Sequence, residues 1–362
     1  MHGRTLNMSY KIFISTFLLS AALGLGGCSS GVPFPELNKP KPRIAPAQEL
    51  PSLIRKIPSY TRLSYSGLAY FRGKLFVTTN IGLIGFVDGK PSEVYKWKDR
   101  DDVLSGPWWD RANDSLWAMH DGLGKLVRFD GTAWHIHDLP EPEQGYTRGD
   151  MLSGFRGIGN QDGFWIEGGG HVWRWESSDS TWQALPRPAD ASMLKIIPLP
   201  GRLLAVTDTD PVVVQEFTEG WKKLYVANGM RFLIDEVVVA GEKGFVKTDR
   251  GEIFRITPSE AVQISQDRLC ETIAVSTSGS LIASFGSEGI FEYSNGWSRK
   301  FAPTFSRSEP DHWAHLVESD GHFALSITGK PEGYGSSMTY PGRTALWISS
   351  GNELLPVSLG NQ

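Results

Sequence analysis

The stretch that decides the fold runs from Asn113 to Pro140 and reads NDSLWAMHDGLGKLVRFDGTAWHIHDLP. Three short runs of alternating apolar and polar residues, SLWAMH, KLVRF and AWHIHDL, are separated by Gly-bearing turns. Period-2 alternation interrupted by Asp-Gly turns is typical of antiparallel strands joined by hairpins. One meander of this kind cannot bury both of its faces, so the fold depends on whether the pattern recurs.

The pattern recurs along the chain at intervals near 40 residues. The second strand of each unit carries an apolar anchor, and successive anchors lie 41, 48, 39, 42, 36 and 42 residues apart. The anchors are Leu75, Leu116, Phe164, Leu203, Phe245, Leu281 and Phe323. A four-stranded repeat of about 40 residues is typical of a propeller blade. We therefore predict an all-β chain with a seven-bladed β-propeller over residues 51–362.

Composition agrees with this interpretation and excludes one class of partner. The 362 residues include 40 Gly and 13 Trp without a long helical periodicity, which indicates many strands and turns. The net charge is −4, and the first 28 residues carry Arg4 and Lys11 but no acid, so the remainder carries −6. A mildly acidic chain of this kind argues against nucleic acid as a partner.

The N-terminal 28 residues form a targeting segment. Lys11 precedes the apolar run IFISTFLLSAAL, which is the pattern of a secretory signal peptide and is too short to predict a membrane span. Translation from Met8 instead of Met1 would give a more ordinary charged region. Residues 1–28 are therefore excluded from the predicted fold.

The end of this segment, Leu25-Gly26-Gly27-Cys28, resembles the lipobox of bacterial lipoproteins. The resemblance implies cleavage before Cys28, followed by acylation of that residue with diacylglycerol and palmitate-like chains, which gives stable anchoring to membrane lipid. Ser29 in place of Asp after the cysteine favours, by the same resemblance, the outer membrane. The alternative is an ordinary secretory signal in which the cysteine occurs by chance.

The segment between the lipobox and the propeller is predicted to be a tether. Residues 29–50 are polar and Pro-rich, and such a polyproline spacer of 22 residues reaches up to roughly 70 Å. Residues 53–63 are left over by the repeats, and we expect them to add an outer strand to the last blade and so help close the ring. The other cysteine, Cys270, lies in an apolar strand pattern and is predicted to be a core residue.

Two of the repeats carry a more specific pattern. NDSLWAM…LVRFDGTAW and QDGFWIE…VWRWESSDSTW resemble the repeats of two-component-regulator-type propellers. The resemblance implies a fold and no particular ligand. Four repeats also place a tryptophan just after the turn that precedes the fourth strand, where we expect it to pack between neighbouring blades: Trp134, Trp182, Trp221 and Trp297.

The predicted binding surface is the upper face, formed by the loops that join second and third strands and by the loops that enter the next blade. The longest insertion on this face is Gly329 to Gly342, GKPEGYGSSMTYPG, in the last blade. Its Gly, Ser, Tyr and Met composition suits an adaptable contact surface, although a merely flexible loop is the alternative. The predicted ligand-binding residues are Tyr334, Tyr340, Met338, Arg148, Arg307 and His312.

The candidate catalytic and metal-binding patterns in the sequence lack the spacing that their chemistry requires. His312 and His315 lie three residues apart, so both can bind one metal only if a strand starts between them. The acidic run Asp99 to Asp102 lacks the Asp-x-Asp-x-Asp-Gly spacing of a calcium loop. The one G-x-S-x-G match, Gly27 to Gly31, lies at the end of the targeting segment and outside the predicted fold, and the chain has no phosphate-loop or dinucleotide motif. We predict no cofactor, no metal and no catalytic residue.

These observations predict a lipid-anchored propeller in the cell envelope that binds a protein or saccharide partner and performs no chemistry. A second hypothesis is a glycan hydrolase or lyase with carboxylates at the channel mouth, where Trp108, Trp109, Trp165 and Trp173 would stack on sugar rings. A third is a structural assembly factor of the outer-membrane machinery, which differs from the first only in its partner.

Overall fold

The computed structural model describes residues 52–54, 65–79, 82–96, 104–120, 125–141, 155–187, 194–230, 233–265, 268–302, 312–329, 345–350 and 353–357. All of them belong to the unit Pro46–Gln362. Across these ranges, twenty-nine strands form seven antiparallel sheets, six with four strands and the first with five. The predicted seven-bladed β-propeller is confirmed, and each of the seven apolar anchors lies in the second strand of its own blade.

The strands of the first three blades follow the chain. They are β1 (Ser52–Ile54), β2 (Tyr65–Phe71), β3 (Lys74–Thr79), β4 (Gly82–Val87) and β5 (Lys90–Lys96) in the first, β6 (Leu104–Asp110), β7 (Ser115–His120), β8 (Lys125–Phe129) and β9 (Trp134–Asp138) in the second, and β10 (Arg156–Gly159), β11 (Phe164–Gly168), β12 (His171–Glu176) and β13 (Thr181–Leu185) in the third.

The fourth to seventh blades continue in the same way, with a short 3-10 turn at Gly286–Glu288. Their strands are β14 (Leu194–Leu199), β15 (Arg202–Thr207), β16 (Val213–Phe217) and β17 (Trp221–Val226); β18 (Ile234–Ala240), β19 (Lys243–Thr248), β20 (Ile253–Ile256) and β21 (Ala261–Gln263); β22 (Thr272–Val275), β23 (Leu281–Ser284), β24 (Ile290–Tyr293) and β25 (Trp297–Phe301); and β26 (His312–Ser319), β27 (His322–Gly329), β28 (Ala345–Ser350) and β29 (Glu353–Pro356).

The Asp-Gly signal in the quoted stretch forms a turn for a local reason. Asp130 Oδ1 accepts hydrogen bonds from the backbone N–H of Thr132 and of Ala133, both at 2.8 Å. Gly131 takes a φ of 94°, which a side chain would disfavour. The hydroxyl of Thr132 and the N–H of Ala133 hold the pKa of Asp130 well below its usual range. The sequence thus carries its own hairpin connection between β8 and β9.

The core lies between blades, not within them. Within the described ranges, seven clusters of buried apolar side chains each join two consecutive blades, including the last and the first. The predicted interblade tryptophans pack in four of these clusters. Trp221 Nε1 also donates to the carbonyl of Pro186 at 2.6 Å, and Trp297 Nε1 donates to the carbonyl of Ile264 at 2.8 Å. These bonds tie an outer strand to the preceding blade.

The ring closes differently from the prediction. β1 pairs with β5, with Ser52 opposite Lys96 and Ile54 opposite Val94, so it is the outermost strand of the first blade. The expectation that this segment extends the last blade is therefore wrong for Leu53 and Ile54, and residues 55–63 lie outside the described residues. β29 is the outermost strand of the last blade and β1 is the outermost strand of the first, so no strand pairing joins these two blades in the described residues. The seam between the last and first blades is held by apolar packing, with Leu75 and Phe86 in the same cluster as Ala324 and Leu346.

Candidate functional site

The first strands of the blades surround a central channel, and its lower part contains a cavity of about 450 Å³. The lower face of the propeller is formed by the turns that join first and second strands. Residues of these turns line the cavity mouth in the second to the sixth blades: Arg111, Gln161, Asp162, Pro200, Gly241, Thr277 and Ser278. The channel cavity therefore opens on the lower face, opposite the face that the sequence singled out.

The wall of the channel cavity is apolar. It includes Ile158, Val238, Val275 and Val317 from the third, fifth, sixth and seventh blades, all half-buried. Half-buried apolar side chains that face a common space are the usual lining of a ligand pocket. The wall is thus suited to an apolar group.

Aromatic side chains of the second blade complete this wall. Trp108 and Trp109 both line the cavity and are half-buried. The indole ring of Trp108 can lie against the backbone of residue 157 because this residue is a glycine, where an added Cβ would lie only 2.8 Å from the ring. A side chain at residue 157 would therefore displace Trp108 from its place in the channel wall.

The rim contains one cation among the residues that line the cavity, Arg111. Its guanidinium carbon lies 4.8 Å from the centroid of the Trp109 ring, and the residue is exposed. Burial of part of its side chain lowers the pKa of Arg111, and the nearby carboxylate of Glu318 opposes that shift. Within the described part of the chain, Arg111 forms no salt bridge.

Arg156 lies in β10 one position before Gly157, which lines the channel cavity. From the third blade, its Nη2 donates to the carbonyl of Ile196 in the fourth blade and its Nη1 to the carbonyl of Val237 in the fifth, both at 3.2 Å. Its Nε forms an ion pair with Glu167, a residue only 1% exposed. The guanidinium therefore links the third blade to first strands of the two blades that follow it.

Carboxylates around the channel accept backbone N–H groups of the neighbouring blade. Glu167 Oε2 accepts from Ile196 at 2.6 Å, and Glu318 Oε2 accepts from Thr277 at 2.6 Å. First strands are sheet edges with N–H groups that no ladder satisfies, and a buried donor left unpaired is costly. These carboxylates therefore hold blades together.

Glu236 plays the same role between the fifth and sixth blades. Its Oε2 accepts from Ile273 N at 2.8 Å and from the hydroxyl of Thr272 at 3.0 Å. Burial raises the pKa of Glu236. Burial alone would lower the pKa of Lys247, but Glu236 and Asp235 raise it to about 12. The lysine is therefore a fixed cation beside two carboxylates, and not a base.

His315 of the seventh blade is close enough to the charges of the fifth blade to be influenced by them. Burial lowers the pKa of His315 to about 4, with Asp235 and Lys247 acting in opposite directions. The imidazole is therefore neutral at physiological pH. β26 begins at His312, so the strand does not start between His312 and His315, which was the condition for a shared metal. No cluster of three or more metal-ligating side chains occurs in the described residues.

The aromatic residues of the glycan-enzyme hypothesis separate into two pairs. Trp165 and Trp173 are 6% and 2% exposed and belong to interblade clusters, so they are not available to stack on a sugar. Trp108 and Trp109 do line the channel cavity. The carboxylate nearest to Trp165 in sequence, Glu167, lies in β11, which extends to Gly168.

The other predicted site residues lie where the structure gives no side-chain detail. Cys28, Arg148, Arg307, Tyr334, Met338 and Tyr340 are outside the described residues, and His312 is described only by its backbone. Their roles stay predictions. Cys270 is confirmed as a core residue: it is 5% exposed, its Sγ donates to the carbonyl of Thr272 at 3.2 Å, and burial raises its pKa.

Sequence reasoning missed the lower face with Arg111, and it missed Arg156 at the start of β10. One available signal was the run Asp110 to Asp114, DRAND, which places a cation in a turn between first and second strands. The described residues contain no helix with the length and apolar composition that a membrane crossing requires.

Comparison with known proteins gives the fold and no family. No family model matches the chain, and no curated protein matches it. The propeller domain of the Trilobed protease of Pyrococcus furiosus, described as having an open velcro topology, has a TM-score of 0.55 at 10% identity and covers 83% of this chain and 99% of that one.

Two further structures come from bacterial surfaces. The extracellular domain of a hybrid two-component system of B. thetaiotaomicron has a TM-score of 0.52 at 10% identity and covers 84% of this chain and 53% of that one. PorZ, a surface component of the type-IX secretion system of Porphyromonas gingivalis, has a TM-score of 0.53 at 12% identity and covers 81% and 45%. The chain thus spans about half of those proteins. At these identities the likeness establishes a β-propeller.

Proposed function

We propose that this chain is a lipid-anchored propeller of the cell envelope that binds a protein or saccharide partner and performs no chemistry. The observation that carries the binding role is the channel cavity, with its apolar wall, aromatic side and polar rim. A pocket of this size that combines apolar walls with a few polar groups is the usual form of a binding site.

The hydrogen bonds that the channel carboxylates already accept support a binding role over a catalytic one. A general acid or base must reach the proton that it transfers. Glu167, Glu236 and Glu318 instead accept backbone N–H groups of a neighbouring blade. The buried thiol of Cys270 is equally unsuited to attack a substrate.

The envelope location rests on the sequence, with the lipobox-like ending at Cys28 and the tether over residues 29–50. The extracellular and surface origin of the similar propellers is consistent with it. Cys28→Ser should move the protein from the membrane fraction to the soluble fraction, or leave it unprocessed, and abolish incorporation of labelled palmitate. A variant that stays in the membrane at wild-type size and with label would contradict the anchor.

Two variants test the binding role separately from the anchor. The full chain, cross-linked in native membranes, is compared with Val238→Phe, which fills the channel cavity, and with Tyr334→Ala/Tyr340→Ala, which alters the predicted upper loop. Loss of the captured partner with Val238→Phe places the contact in the channel. Loss with the tyrosine variant alone places it on the upper face. If neither variant reduces capture while both melt like wild type, the proposed binding role is wrong.

A further inference from the structure

The channel cavity has a distinct chemistry along its length. Arg156, which precedes the lining residue Gly157, directs its guanidinium to Glu167, Ile196 and Val237 and does not itself line the cavity. The middle of the cavity is formed by aliphatic side chains and indole rings. Its mouth is polar. A guest must therefore be apolar at its inner end and polar at its outer end, because a polar group buried in the middle would lack hydrogen-bond partners.

The groups at the mouth differ in the hydrogen bonds that they still offer to a guest. Glu318 and Asp162 line the cavity and keep their negative charge, but their oxygens are directed at backbone N–H groups: Glu318 accepts from Thr277 and Gly321, both at 2.6 Å, and Asp162 from Gly201 at 2.9 Å. Arg111, in contrast, forms no salt bridge within the described residues.

Arg111 is also positioned to receive an anion. Its guanidinium lies over the Trp109 ring, and stacking of this kind restricts the plane of the donor group. A planar guanidinium presents N–H donors that match a carboxylate, and such charge-assisted bonds are stronger than neutral ones.

We propose that the channel cavity binds an apolar group that ends in a carboxylate, with the apolar group between Trp108 and Val238 and the carboxylate held by Arg111. This proposal rests on the proposed binding function and names the chemistry that the site selects. The same chemistry is offered by a free small acid and by the C-terminal residue of a protein, so the two sources need separate probes.

The experiment is calorimetric titration of the purified full chain with three probes. They are 3-phenylpropionate, its isosteric amide 3-phenylpropionamide, and a hexapeptide that ends in phenylalanine with a free carboxylate. Binding of 3-phenylpropionate with at least about tenfold preference over the amide supports the proposal. Binding of the peptide but not of the small acid supports the same chemistry with a protein C-terminus as its source.

Two variants locate the interaction. Arg111→Gln should weaken carboxylate binding by about tenfold or more and abolish the preference over the amide. The matched control is Arg72→Gln, because Arg72 lies on the same face, stacks over Phe71 at 5.2 Å and pairs with Asp114, but does not line the cavity. Val238→Phe should abolish binding, and unchanged melting would show that this variant is folded.

The proposal is overturned if no carboxylate probe binds, if the amide binds equally well, or if Arg111→Gln and Arg72→Gln have the same effect. These results are distinguishable from failure of the proposed function. Cross-linked partner capture that still depends on Val238 would preserve the binding role and reject only the carboxylate chemistry.

Discussion

Arg156→Met tests whether the channel is held together by the buried guanidinium. The side chains of Arg156 and Glu167 are 16% and 2% exposed, and Arg156 additionally donates to carbonyls in two other blades. Removing one partner of a buried ion pair costs about 3 to 5 kcal/mol, and we expect the lower end of this range because Lys195 Nζ remains 3.4 Å from the buried Glu167 carboxylate. The variant should therefore lower the melting temperature by roughly 5 to 15 °C.

The chain contains a matched control for this substitution. Arg202 Nε contacts Glu216 Oε1 at 2.5 Å in the same kind of pair, but the arginine side chain is 43% exposed. Exposed pairs contribute about 0 to 1 kcal/mol, so Arg202→Met should shift the melting temperature by only a few degrees. Thermal melting and chemical denaturation of both purified variants give the comparison.

A second substitution separates the lost bonds from the buried charge. Glu167→Gln added to Arg156→Met removes the charge of both partners and leaves Lys195 as the remaining cation, so the double variant should be less destabilised than the sum of the two single changes. Equal destabilisation by Arg156→Met and Arg202→Met would refute the reasoning. So would a double variant that is as unstable as the sum of the two single changes.

Three further predictions address packing, pH and closure. Trp297→Phe should cost about 1 kcal/mol more than Trp182→Phe in denaturation experiments, because of these two indoles only that of Trp297 donates to a carbonyl in the described residues. Equal costs would contradict this. Because burial lowers the pKa of His315 from 6.5 to about 4, this imidazole is protonated in the unfolded chain before it is protonated in the folded chain as the pH falls. Stability should thus fall by about 2 to 3 kcal/mol between pH 6.5 and pH 4, and His315→Gln should flatten that decline in pH-dependent melts. Deletion of residues 1–54 should leave the melting temperature nearly unchanged, since β1 adds only a three-residue outer strand; a large loss would restore a role for this segment in closing the ring.

The repeat structure could be read from the sequence because its signals are local. Alternation within each strand and an Asp-Gly turn such as Asp130-Gly131 act over a few residues, and their recurrence gives the number of blades. The interblade tryptophans were predictable for the same reason. A large apolar side chain just after a turn, at the start of an outer strand, must be covered by the neighbouring blade.

The site depended on contacts between distant parts of the chain. Arg156 and Val237 are 81 positions apart, and Glu167 and Ile196 are 29 apart. No local pattern shows that these side chains would cap the free N–H and C=O groups of neighbouring first strands. That outcome depends on the register and tilt with which each blade meets the channel.

Ring closure likewise depends partly on local sequence patterns and partly on the tertiary structure. The sequence by itself determined seven repeats and a short strand-like segment before them, since both follow from local apolar patterns. Only the tertiary structure decided where that segment pairs, because the outer strands of the first and last blades both offer an edge and no local pattern distinguishes β5 from β29. Likewise, arginines in turns are common in sequences, and only the ring geometry brings Arg111 to the mouth of an apolar channel.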